Sequence, residues 1–177
     1  PRRARPAAGS EVVPAGAAVG VAAGSLGLFH APVAQWFRGT LGEPTGNLVD
    51  LAHRGGKRQT FTGGTVWYTA GTGARSLTGG IRDLYVDHGG PRGQVGFPLS
   101  SMTEVGDGRG EYARFEGGNL YDSTTTDAHE VRGGVLTDYL AAGGPTGPLG
   151  YPTGELDPPG TPGGRVQEFE GGSIAYP

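Results

Sequence analysis

The chain has 177 residues, of which 37 are Gly and 14 Pro, and its formal net charge is −3. So many backbone breakers exclude a long-helix protein, because Gly costs about 1 kcal/mol and Pro about 3 kcal/mol inside a helix. The charge is uneven, with ten Arg/Lys against five Asp/Glu in residues 1–97 and four against twelve in 98–177, and the basic excess is too dilute to point to nucleic acid.

Gly does not fall at every third position, which excludes collagen. Two Trp, seven Tyr and six Phe are too many for a typical disordered chain and allow a modest core. No apolar run approaches the roughly 20 residues of a membrane span. Cys is absent, so disulfides and thiolate metal sites are excluded.

The chain opens at Pro1 with PRRARP. No strongly apolar stretch follows, so this is not an intact signal peptide, although a processed one is compatible with it. Residues 1–27 are rich in Gly, Ala and Pro and have two readings. They are a flexible linker, or an extended strap lying in a partner's cleft or on a sheet edge. In the second reading the slim apolar residues Val12, Val13, Val19, Val21 and Leu26 make the contacts, and Arg2, Arg3 and Arg5 meet an acidic rim. Residues 28–40 (LFHAPVAQWFRGT) occupy the place of a preceding helix segment, with Gly39 aligning to Gly93.

From residue 41 the chain repeats. LGEP begins at Leu41, VGFP at Val95 and LGYP at Leu149, a period of 54 residues. FTGG at Phe61, FEGG at Phe115 and FEGG at Phe169 keep the same period. Nine Gly recur between 41–94 and 95–148. The third copy covers 149–177.

Each unit has a readable plan. Residues 58–68 alternate around a Gly pair, as do 112–122 and 166–176, which predicts a hairpin with Gly supplying positive φ at the turn. A loop follows. Ile81 to Tyr85 and Val135 to Leu140 then show helical spacing, and Gly89-Gly90 and Gly143-Gly144 end those helices. Pro44, Pro98 and Pro152 keep the chain from continuing a ladder. The expected architecture is α+β and β-rich: three hairpin and short-helix repeats in one domain, 28–177, behind an extended tail.

LGEP, VGFP and LGYP, each followed by F-x-GG and then, after the first two, by GG-[IV]-x₃-Y, resemble the LGFP repeat family. The resemblance covers 41–177. It implies a propeller-like or ring-like array in an exported, cell-wall-associated actinobacterial protein, of a kind appended to envelope enzymes. It also implies binding to arabinogalactan or peptidoglycan glycan.

Trp67, Tyr68, Tyr121 and Tyr176 sit at recurring hairpin positions. An aromatic ring can stack on the C–H face of a sugar, so all four are glycan candidates, with core packing the competing role. Adjacent Trp67 and Tyr68 point to opposite faces. His30, His53, His88 and His129 share no repeat position. Asp127-Ala128-His129-Glu130 lacks metal-motif spacing and reads as a solvated loop, so no metal or cofactor is expected. Glu116 and Glu170 recur after Phe, but Thr62 stands in the first unit, and surface placement is the default. There is no G-x-S-x-G elbow, P-loop or Cys nucleophile, so no enzyme is expected. The leading function is a secreted or cell-wall-associated glycan-binding module. The alternative is an adaptor docking a secreted protein partner through residues 1–27.

Overall fold

A computed structural model describes residues 37–176. The strap candidates Arg2, Arg3, Arg5, Val12, Val13, Val19, Val21 and Leu26, together with His30, lie outside the described residues.

The first unit comprises β1 (Val49–Asp50), β2 (Lys57–Phe61), β3 (Gly64–Thr69), β4 (Gly73–Leu77) and helix α1 (Gly79–Asp87), with a 3-10 turn at Gly90–Arg92. The second repeats it as β5 (Thr103–Glu104), β6 (Gly110–Arg114), β7 (Gly118–Ser123), β8 (His129–Arg132) and α2 (Gly133–Ala141), with a turn at Gly144–Thr146. The third contributes β9 (Arg165–Phe169) and β10 (Gly172–Tyr176). Strands pair antiparallel in chain order, giving two four-stranded sheets and one two-stranded sheet. The expected hairpins are β2–β3, β6–β7 and β9–β10. The expected loop after each of the first two is instead a further strand. β4 and β8 are short and polar, and they are held by pairing to β3 and β7 rather than by their own alternation.

In the first two hairpins the turn glycines act differently from expectation, whereas Gly172 in the third has the expected positive φ, 153°. Neither Gly63 nor Gly64 has positive φ. They are required because backbone passes close by: a Cβ on Gly64 would stand 2.6 Å from the Leu77 carbonyl, and one on Gly117 2.6 Å from that of Gln94. The helix-ending glycines do adopt the left-handed region, with Gly89 at φ 89° and Gly143 at φ 101°.

Neighbouring units meet with α1 packed on β7 and α2 on β10, and each core belongs to two units. Val66 on β3 packs with Phe37, Leu41 and Phe61. Its neighbour Trp67 points the other way, towards Leu77, Ile81 and Tyr85 of its own unit and Phe115 and Leu120 of the next. Tyr121 repeats this one unit on, with Val135, Tyr139 and Phe169. Because alternate residues on β3 and β7 face different neighbours, these strands are buried on both sides. Each helix places its tyrosine at the joint. Tyr85 lies 5.0 Å from Trp67 and 4.8 Å from Phe115, ring to ring. Its hydroxyl donates to the Gly96 carbonyl at 2.8 Å, as Tyr139 does to Gly150 at 2.7 Å.

The first joint departs from the 54-residue register. Residues 37–41 are helical, and Phe37 packs on Phe61 at 6.3 Å, as Tyr85 packs on Phe115. Phe37 stands four residues before Leu41, whereas Tyr85 stands ten before Val95. The alignment of residues 28–40 on Gly39 therefore misses the residue that fills the helix tyrosine's place.

Phe115→Ala is expected to lower stability by about 3–5 kcal/mol, and Tyr85→Phe, which keeps the ring and deletes one hydrogen bond, by about 1 kcal/mol. Urea unfolding measures both. Similar losses for the two would contradict the shared core.

Candidate functional site

The recurrent residues converge at the joints. Phe97, the aromatic of VGFP, is fully buried in a socket on the first unit. The socket floor is Gly56, where a Cβ would come within 2.5 Å of the Phe97 ring. His53 stacks on one side at 5.8 Å and 5°, and the Arg54 guanidinium lies 5.5 Å from the ring centre. Arg54 also donates to both oxygens of Glu116, at 2.9 and 2.6 Å. Glu116 in turn accepts the backbone N–H of Phe97 at 3.0 Å. This clasp holds the inserted ring from both units. Arg54 is the one non-glycine residue with positive φ among the described residues, at 52°, a conformation a bulky side chain rarely adopts.

The next joint has the same logic with exchanged parts. Tyr151 fills the socket above Gly110, beneath Arg109 at 5.2 Å. Asp107, the counterpart of His53, accepts the Tyr151 hydroxyl at 3.0 Å. Glu170 accepts the Tyr151 N–H at 3.0 Å and pairs with Arg109. Glu116 is held below the usual carboxylate range, chiefly by the hydrogen bond from Arg54. Glu170 is held low by the Tyr151 N–H and then by Arg109. In the first unit Glu43 and Thr62 stand where Phe97 and Glu116 do in the second. These glutamates are structural, and their recurrence after Phe was the signal that could have found them.

A second joint contact runs across the sheets. Asp122 accepts the backbone N–H of Gly80, so a carboxylate of the second unit caps the start of α1, which has no side-chain cap of its own. Asp122 stands opposite Glu111, and Glu111 opposite Glu104. The first unit has Tyr68, Lys57 and Asp50 at these positions, so its row is neutralised while the second unit's is not. Burial, followed by the Asp122 and Glu104 charges, pushes the Glu111 carboxyl up.

The Asp127–Glu130 segment is a solvated loop only as far as Asp127-Ala128. His129 and Glu130 lie on β8. Glu130 is only 4% exposed and bonds Arg132 Nε at 2.6 Å and His88 Nδ1 at 3.2 Å. Its backbone N–H donates to Glu155 of the third unit, and its carbonyl accepts from the buried Gln167 amide at 2.7 Å. Cross-strand pairing to Leu120 draws it inward, which local composition did not show.

The four aromatic candidates separate. Trp67 is 1% exposed and Tyr121 2%, so both rings are committed to the joints and present no face to a ligand. Tyr68 is half-buried and Tyr176 is 38% exposed. Two surface grooves stand out among the described residues, the first of them bordering the second socket at Arg109 and Gly110. One, of about 440 Å³, runs along the acidic row of the second unit. The other, of about 420 Å³, lies between β2–β3 and α1 of the first unit. Among the described residues, no group of three or more metal-ligating side chains is assembled.

Such a geometry defines a tandem-repeat stack in which each unit is fastened into the one before it. The LGFP repeat model matches residues 41–93, 95–147 and 149–177, and the chain belongs to that family. No curated protein matches it.

Two substitutions with opposite signs test these electrostatics. The lowered Glu116 carboxyl contributes stability above the unfolded value of about 4.3 and loses it as pH falls through its depressed native value. The raised Glu111 carboxyl penalises the native state at neutral pH, and that penalty fades as pH falls towards the unfolded value. Near pH 7, Glu116→Gln is expected to lower the melting temperature and Glu111→Gln to raise it. The Glu111→Gln effect should be gone by about pH 3, below the unfolded value. Shifts of the same sign at neutral pH would contradict the assignment.

Proposed function

We propose that the protein is a non-catalytic, exported module that binds cell-envelope glycan, arabinogalactan or peptidoglycan. One observation supports this reading above others. Residues that recur with the period, such as Phe61, Phe115, Phe169, Tyr85 and Tyr139, are buried, whereas every residue lining the first unit's groove differs from its counterpart in the second. The stack is a scaffold, and recognition falls to its unit-specific surface. Membership of the LGFP repeat family agrees with an exported location, and no helix among the described residues is long and apolar enough to cross a membrane. Four-stranded sheets fastened by a repeated joint also fit the blades of a propeller-like array, although the described sheets do not close on themselves. Tyr68 and Tyr176 remain the aromatic candidates able to meet a sugar.

Co-sedimentation with insoluble arabinogalactan–peptidoglycan tests the reading. The protein is expected in the pellet, with no release of reducing sugar. Protein left in the supernatant at all loads would sink the binding role, and steady release of reducing ends would sink the non-catalytic one.

A further inference from the structure

We propose that the groove between β2–β3 and α1 of the first unit is the saccharide site, and that it takes an uncharged, polyhydroxylated ring. The assignment rests on the glycan-binding reading above. The volume of about 420 Å³ falls within the range of small-ligand sites.

The polar groups here are not satisfied by the protein. Among the described residues, Arg58 has no ion pair, and the hydroxyls of Thr60 and Thr65 have no hydrogen-bond partner. Arg82 pairs with the adjacent Asp83, yet its Nε is buried without an acceptor. The Arg82 Nε is the group whose burial is costly without a partner, while Arg58, Thr60 and Thr65 face the groove's water and are free to exchange it for a ligand's hydroxyls.

The helix wall is also arranged against its own stability. Asp83 and Asp87 stand four residues apart on α1, a like-charge spacing that destabilises a helix. Asp87 ends the helix, where the dipole disfavours negative charge. The second unit has Thr137 and Ala141 at these positions. It also closes the equivalent space with apolar groups. Tyr112 replaces Arg58 and stacks on Tyr121 at 5.9 Å, and Leu136 replaces Arg82 and packs on the core.

The ligand class follows from the charges. Two guanidiniums and two carboxylates cancel, so an anion would meet Asp83 and Asp87 and a cation would meet Arg58 and Arg82. Neighbouring hydroxyls on a sugar can donate to a carboxylate and accept from a guanidinium at once. Val86, 46% exposed beside them, offers an apolar surface to the ring's C–H face.

The test is calorimetric titration of the full chain with soluble arabinogalactan fragments and, separately, with inorganic phosphate. Arg58→Gln and Asp87→Asn are each expected to weaken fragment binding by about ten-fold or more with melting intact, while Glu104→Gln in the other groove leaves it unchanged. If Arg58→Gln fails to fold, Asp87→Asn at the exposed helix end carries the test. Wild-type binding that both folded variants retain would overturn the groove and leave the glycan-binding reading standing. Absence of wild-type binding, by titration and by sedimentation, would overturn both. Phosphate binding that competes with the fragments would overturn the uncharged-ligand assignment.

Discussion

The structure depends on one insertion, repeated twice: an aromatic ring at the head of a unit enters a glycine-floored socket on the unit before it. A two-stranded ribbon has too little apolar face to be stable alone. Insertion of Phe97 and Tyr151 joins neighbouring sheets so that Trp67 and Tyr121, already facing outward from their own units, become interior. The clasp charges are consistent with this. Glu116 and Glu170 sit where they receive the inserted residue's N–H, and an arginine from the preceding unit covers both ring and carboxylate.

The two sockets show which features of the joint are fixed and which can be exchanged. The inserted ring changes from Phe97 to Tyr151, and the wall changes with it, from a stacking His53 to a hydrogen-bonding Asp107. That exchange follows from the phenol, since a buried hydroxyl needs an acceptor. The arginine shifts by one position, from Arg54 to Arg109. In the first unit this places a large side chain in the left-handed region, where the second unit has Gly108 at φ 72°. Some backbone strain is thus tolerated to keep the guanidinium over the ring.

Much of the fold is legible from spacing alone. The 54-residue period marks the units, alternation around Phe-x-Gly-Gly marks the hairpins, and Ile81 to Tyr85 and Val135 to Tyr139 mark the helices. β4 and β8 are not legible, because Gly73–Leu77 and His129–Arg132 carry no clear alternation and become strands only by pairing to a neighbour. The burial of Trp67 and Tyr121 follows from a face covered by the next unit, which the hairpin's own sequence does not contain. The same limit explains Glu130, whose partners come from His88 just past α1, from β8 and from the third unit. The first unit's groove was missed because Arg58, Thr65, Arg82 and Asp87 are dispersed in sequence and none of them recurs. Recurrence marks the repeated core, and the residues lining the first unit's groove all depart from it.

The central claim is that the units are fastened by the inserted rings, so that opening a joint requires opening the stack. Native-state hydrogen exchange at the backbone amides of Phe97 and Tyr151 tests it most directly. The amides bonded to Glu116 and Glu170 are expected to exchange only as slowly as the β3 and β7 amides, through global unfolding. Exchange of these two amides at the fast rates of local fraying, while β3 and β7 stay protected, would contradict it.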